Sequence, residues 1–231
     1  MSKRFIAAIA VVAVATTVIY LYFSFGRTNA RRVQVFNWFR DPSSNSDMML
    51  RAGSRCGEVP FLFPTDGVAG FLWDDSFRAG HRHQGIDIFG GTDPGVTKVI
   101  AAYPGYLRRL PAWKSSVIMR VPEDPLVLGR QIWLYYTHMA DKNGESYISY
   151  EFPPGSTEKW IEAGTFLGYQ GNYSGDPFNP VGVHLHFSIV KDDGTGRFKN
   201  ELEIDNTYDP SPYLGLALNA NKNQNEIPLC E

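Results

Sequence analysis

Val183-His184-Leu185-His186-Phe187 alternates apolar and imidazole side chains. Successive side chains of a β-strand point to opposite faces. A strand here puts His184 and His186 on one face and Val183, Leu185 and Phe187 against a core. The same period recurs along the chain. Ser116–Val121 and Gln131–His138 read as two strands, joined as a hairpin by the polar, proline-containing segment 122–130. Val99–Tyr103 reads as a strand and Pro104-Gly105 as its turn. Phe61–Pro64 and Phe71–Trp73 are short apolar runs that read as strands around a Thr65-Asp66-Gly67 turn, and Ile161–Gly171 supplies another strand pair. Residues 145–158 and 172–182 read as loops, and Asp192–Gly196 as a hairpin-like turn. Twenty-two glycines and 15 prolines supply the punctuation of a β-rich fold. There is no internal repeat, heptad pattern, P-loop or dinucleotide fingerprint.

The 231 residues suit one domain with appendages. Phe5–Phe25 is an uncharged run of 21 residues, which at about 1.5 Å per residue roughly matches a bilayer core about 30 Å thick. It is expected to be a single spanning anchor. Residues 1–4 are then a cytoplasmic tip, 26–60 a linker or entry segment, 61–215 the main domain and 216–231 a C-terminal tail. A cleaved signal peptide, with Thr28-Asn29-Ala30 as a poor cleavage site, is the competing reading. Lys3 and Arg4 precede the run and Arg27, Arg31 and Arg32 follow it, so flanking charge does not orient it. Residues 31–231 hold 19 basic and 24 acidic side chains, a balance that offers no basic patch for nucleic acid. Cys56 and Cys230, the only cysteines, are too few for a cysteine-only zinc site. In an oxidising compartment they can bridge the tail to the start of the domain; otherwise they are two unrelated thiols. The cysteines and the substrate inferred below place the domain on the extracytoplasmic side of the cell membrane.

All five histidines lie in three places, His81 and His83, His138, and His184 and His186. In His81-Arg82-His83-Gln84-Gly85-Ile86-Asp87-Ile88, strand parity puts His83 and Asp87 on one side, with only the hydrogen of Gly85 between them. That leaves room for an ion, and His81, of the same parity, competes with His83. Catalytic zinc takes three protein ligands and an open position, with a proton acceptor nearby. One histidine, one aspartate and a second histidine meet the ligand count.

These elements resemble the lysostaphin-type zinc metallopeptidases that cut peptidoglycan. The matching segments are His83-x-Gly-x-Asp87, Ala102-Tyr103-Pro104-Gly105, Tyr136-x-His138, Ala163-Gly164-x-x-x-Gly168-x-x-Gly171 and His184-Leu185-His186-Phe187, in the family's order over about residues 60–215. The resemblance implies a mainly β fold, an antiparallel sandwich or open barrel-like sheet with a narrow groove. It implies one zinc ion held by His83, Asp87 and His186, with His138 and His184 as the catalytic pair, and it selects His83 over His81. It does not divide the roles of His138 and His184. Tyr136, of His138's parity, is either a cleft residue or a packed core tyrosine. The long 172–182 loop, the extended 122–130 connection and Met139 depart from the family's usual pattern.

The expected function is hydrolysis of peptide bonds in peptidoglycan stem peptides or cross-bridges. Two alternatives stand beside it. One is a non-catalytic wall-binding module that activates an amidase; the other is a zinc peptidase acting on secreted peptides.

Overall fold

The computed structural model describes residues 30–76, 80–223 and 225–230. Its elements are helix α1 (Ala30–Arg40), strands β1 (Val68–Phe71), β2 (Ile86–Phe89), β3 (Lys98–Ile100), β4 (Gly105–Arg108), β5 (Val117–Val121), β6 (Ile132–Thr137), β7 (Lys159–Ile161), β8 (Phe166–Tyr169), β9 (Leu185–Lys191) and β10 (Thr207–Tyr208), and the short helix α2 (Ser211–Leu214). The fold is mainly β, and every strand pair is antiparallel.

The large sheet runs β1-β2-β9-β6-β5-β4-β7, and β3 pairs with β8 separately. Strand β9 is the hub. One edge carries β6 along most of its length; the other carries β2 at Leu185–Phe187 and β10 at Ile189–Val190.

Alternation divides the two faces of this sheet. Ile86, Ile88, Val117, Met119, Val121, Ile132, Leu134, Tyr136, Leu185, Phe187 and Ile189 enter one core with Phe61, Phe63, Phe152 and Leu167. The residues between them, Asp87, Thr137, Tyr135, His186 and Ser188, lie on the opposite face, where Asp87 pairs with His186 and Thr137 with His186 across the strands. Further along that face Ile118, Trp133, Tyr135 and Val190 form a small cluster capped by Trp113 and Phe198.

Several sequence expectations meet a different backbone. Phe61–Pro64 is not a strand. Phe61 and Leu62 donate to the carbonyls of Tyr213 and Ala102, and Phe63 donates to Ser54, so each residue bonds a different segment. The Ile161–Gly171 region does supply two strands, but they do not pair with each other. β7 adds to β4 and β8 to β3, with Gly164 turning the chain at φ +83° between them.

Of the expected linker, residues from 30 onward pack on the domain. Trp38 and Val35 of α1 are buried with Val68 of β1, Phe89 of β2 and Ile227 near the C-terminus. Leu216 and Leu218 are buried too, and Cys56 and Cys230 form a disulfide with their Cα atoms 5.0 Å apart. The expected cytoplasmic tip at 1–4 and spanning run at 5–25 lie outside the described residues. Among the described residues no helix is long and apolar enough to cross a membrane.

Candidate metal centre

His83 does not sit on a strand. It lies in the coil before β2, and its backbone is held by the turn Leu72–Asp75. Its N–H donates to the Asp75 carbonyl at 2.8 Å, and its own carbonyl accepts from Asp74 N–H at 2.7 Å. Its ring Nδ1 lies 2.9 Å from the Leu72 carbonyl. A carbonyl only accepts, so Nδ1 carries a proton, and in the neutral ring Nε2 keeps a lone pair. That lone pair faces Asp87 Oδ1 at 3.1 Å and His186 Nδ1 at 3.1 Å. His186 Nδ1 and Asp87 Oδ1 are 2.8 Å apart.

Three donor atoms from chain positions 83, 87 and 186 thus form a triangle with sides of 2.8–3.1 Å. Tetrahedral zinc with bonds near 2.0–2.1 Å separates its ligands by about 3.3 Å, so the triangle is close to the size such an ion needs. Among the described residues this is the His/Asp group whose ligand atoms all lie within 4.8 Å of one another. All three residues are buried.

The charge balance points the same way. Burial works against the charge of Asp87, but the nearby imidazoles of His83, His184 and His186 override it and hold the carboxyl well below its usual range. Burial also pushes His83 down, yet the attraction of Asp87 raises it overall. Burial lowers His186, with Asp87 only partly offsetting it. A buried carboxylate and two imidazole lone pairs aimed at one point need a cation, either protons or a metal.

With Nδ1 turned to the triangle, His186 carries its proton on Nε2. That buried atom has no hydrogen-bond partner among the described residues. A Cβ on Gly85 would come within 2.8 Å of it. Gly85 therefore makes room for the His186 ring; the expectation that it clears space for the ion itself is corrected to this extent.

His138 and His184 complete the site. His138 follows β6 in a left-handed backbone conformation, φ +70°, which few non-glycine residues adopt outside constrained sites. That turn breaks the strand parity. Tyr136 therefore points into the core, fully buried, its hydroxyl accepting from Ala102 N–H at 2.9 Å, and it is not a cleft residue. Tyr135 is the tyrosine on the metal face.

The two rings lie 4.5 Å apart between centroids. Each gives its Nδ1 to a backbone carbonyl, His138 to Tyr173 at 2.7 Å and His184 to Gly182 at 2.6 Å. Both carbonyls belong to the 172–182 loop, so that loop fixes the tautomer of both histidines and leaves each Nε2 as a proton acceptor. His184 Nε2 stands 3.4 Å from Asp87 Oδ1. Burial, then the proximity of His184 and His186, push the pKa of His138 down to about 3.

His81 is outside the group and lines a separate depression with Leu202, Glu203 and Asp205. The carbonyls of Leu72, Tyr173 and Gly182 are functional groups that no side-chain pattern could have marked.

No family model matches the sequence, and no curated protein does. Solved structures to which the chain shows similarity include Csd3 of Helicobacter pylori (18% identity, TM-score 0.37, covering 63% of this chain and 32% of that one). A mutant catalytic domain of the prophage-encoded M23 protein EnpA from Enterococcus faecalis is 18% identical, with TM-score 0.37 over 65% of this chain and 94% of that one. A putative peptidase M23 from Pseudomonas aeruginosa is 17% identical, with TM-score 0.38 over 79% and 61%. The aligned part thus spans about a third of the Helicobacter chain and three-fifths of the Pseudomonas chain. Identities this low leave the activity of this chain to be read from its own side chains.

Proposed function

We propose that this chain is a zinc-dependent metalloendopeptidase that hydrolyses peptide bonds of peptidoglycan stem peptides or cross-bridges. One observation carries the reading: His83 Nε2, Asp87 Oδ1 and His186 Nδ1 converge within 3.1 Å of one another, beside two histidines that present acceptor nitrogens. Two nitrogens and one carboxylate oxygen are a catalytic zinc donor set, three ligands with a position left open. Zinc in this site would bring the pKa of its water toward neutrality and polarise the scissile carbonyl.

The remaining work falls to the protein's own groups. His184 Nε2 takes a proton from the attacking water, and the imidazolium so formed is stabilised by Asp87 and returns the proton to the leaving amine. His138 sits where a cation is disfavoured, so it stays neutral and receives a hydrogen bond that orients the water or the substrate amide. The substrate class follows from the motif resemblance. The extracytoplasmic, membrane-anchored location is supported by the Cys56–Cys230 bridge, which belongs to oxidising compartments, and by the apolar run at 5–25. The exposed Val33, Phe36 and Phe39 on α1, close behind that run, suit a membrane-facing surface.

The test is metal content together with release of soluble peptides from purified peptidoglycan, identified by mass. Wild type should hold one zinc and release peptides. His83→Ala should lose both properties, and His184→Ala should keep the zinc and lose the release. A wild-type protein without zinc, or a zinc-loaded one that binds wall fragments and never cleaves them, overturns the proposal.

A further inference from the structure

Arg31, in the first turn of α1, is completely buried, an unusual place for a guanidinium. Its Nη2 donates to Asp75 Oδ2 at 2.5 Å, and Asp75 is itself only 5% exposed. The next residue, Arg32, donates to the Ser76 carbonyl at 2.8 Å. Both arginines therefore grip the turn whose other side holds His83. In that turn the Asp75 carbonyl accepts the His83 N–H, Asp74 N–H bonds the His83 carbonyl, and the Leu72 carbonyl takes the His83 ring proton.

From Arg31 the chain of contacts runs to the Asp75 carboxylate, through its backbone to His83, and through that ring to the metal triangle. Asp74, in the middle of the turn, has a left-handed backbone, φ +66°, and is tied down by Arg82. Such a conformation persists only where surrounding contacts over-determine it.

We infer that Arg31 is a positioning residue for the metal centre: through its buried pair with Asp75 it sets the turn that aims His83 Nε2, so the docking of α1 is a condition for full metal affinity. The inference rests on the reading of His83, Asp87 and His186 as a zinc site. It adds that the helix directly behind the N-terminal apolar run is part of the site's support. Pulling α1 away, by a partner or by tension on the chain ahead of it, would weaken the metal's hold without touching a ligand. The physical ground is that groups supporting a ligand change metal affinity by about 10–100-fold when removed. A second ground is that removing one partner of a buried ion pair leaves the other charge uncompensated and destabilises its surroundings.

The test uses the full chain and measures two things. One is zinc affinity by competition with a chelator; the other is hydrogen-exchange protection of the His83 amide in the metal-free protein. Arg31→Met should weaken zinc at least tenfold and expose the His83 amide, and Arg31→Lys should restore most of both. Leu107→Ala, a cavity in the core on β4, lowers stability as a control and should change neither. Wild-type zinc affinity in Arg31→Met overturns the inference, and so does an equal loss in Leu107→Ala, which would reduce the effect to general destabilisation. A wild-type chain that binds no zinc refutes the metal reading itself, while the His83 amide still reports whether Arg31 holds the turn.

Discussion

Gly85→Ala is the sharpest single-atom challenge to the site. Gly85 lies just before β2, one residue from the Ile86–Phe187 pair. A Cβ there would overlap the Phe187 carbonyl oxygen and come within 2.8 Å of His186 Nε2 and 2.9 Å of its Cε1. Ordinary contact needs about 3.5 Å, so the imidazole must retreat by roughly 0.7 Å. Ligand distances in a metal site tolerate about 0.2 Å, so a shift of this size takes Nδ1 out of reach of a common ion. Zinc affinity should fall by about 10–100-fold, the range seen when support of a ligand is lost.

Two terms of opposite sign act on stability. Alanine in place of glycine removes unfolded-state freedom worth about 0.4–1 kcal/mol, whereas overpacking against fixed backbone costs about 1–3 kcal/mol. The cost is the larger, leaving the metal-free variant less stable by up to about 2.6 kcal/mol. Gly182→Ala is the control. Its Cβ would meet only Phe89 Cε1, at 3.8 Å, and the carbonyl that binds His184 is untouched. Chelator competition and urea denaturation on both variants decide the matter. If Gly85→Ala binds zinc as tightly as Gly182→Ala, then His186 is not held against Gly85 as a ligand, and the triangle is wrong.

Other consequences are open to measurement. His138, held near a pKa of about 3, refuses a proton that the unfolded chain accepts near the ordinary 6.5. Its contribution is complete above that value and is lost as pH falls from 6.5 toward 3. Urea midpoints of the metal-free protein should therefore drop more steeply with acid in wild type than in His138→Gln, and identical slopes would refute burial of the neutral ring. The Cys56–Cys230 bond closes a loop across 174 residues. On the chain-entropy model that constraint is worth about 5 kcal/mol, so Cys230→Ser should unfold at markedly lower denaturant yet keep its zinc once folded. Loss of zinc in the folded Cys230→Ser protein would show that the bridge supports the site. Trp38→Ala empties the contact between α1 and the β1–β2 edge and should cost about 3–5 kcal/mol; a cost below 1 kcal/mol by denaturant unfolding would mean that α1 is not docked as described.

The donor set was legible because it is written in side chains at strand spacing. His184-Leu185-His186 announces its face by alternation, and Asp87 between Ile86 and Ile88 does the same. His83 was found from its motif, although the strand drawn through it begins only at Ile86. Parity misled where the backbone left the strand. His138 adopts a left-handed conformation, so its neighbours' facing cannot be extrapolated to it, and Tyr136 turned out to be core. The apolar run Phe61–Pro64 misled for another reason: burial without a ladder looks the same in sequence as burial within one.

What could not be read was the part played by main-chain atoms. The tautomers of His83, His138 and His184 are each set by a carbonyl, those of Leu72, Tyr173 and Gly182. Any residue type carries that oxygen, so composition and spacing are silent about it. Yet it sets the tautomer, because a neutral imidazole whose Nδ1–H is engaged presents its lone pair at Nε2. Two of the three carbonyls sit near opposite ends of the 172–182 loop, whose neck is closed by a bond from Val181 N–H to the Asn172 carbonyl. The loop that looked over-long in the sequence thus holds Nδ1 of both histidines and leaves each neutral ring its lone pair at Nε2. Its tip carries the exposed Phe178, while the two carbonyls lie near its base.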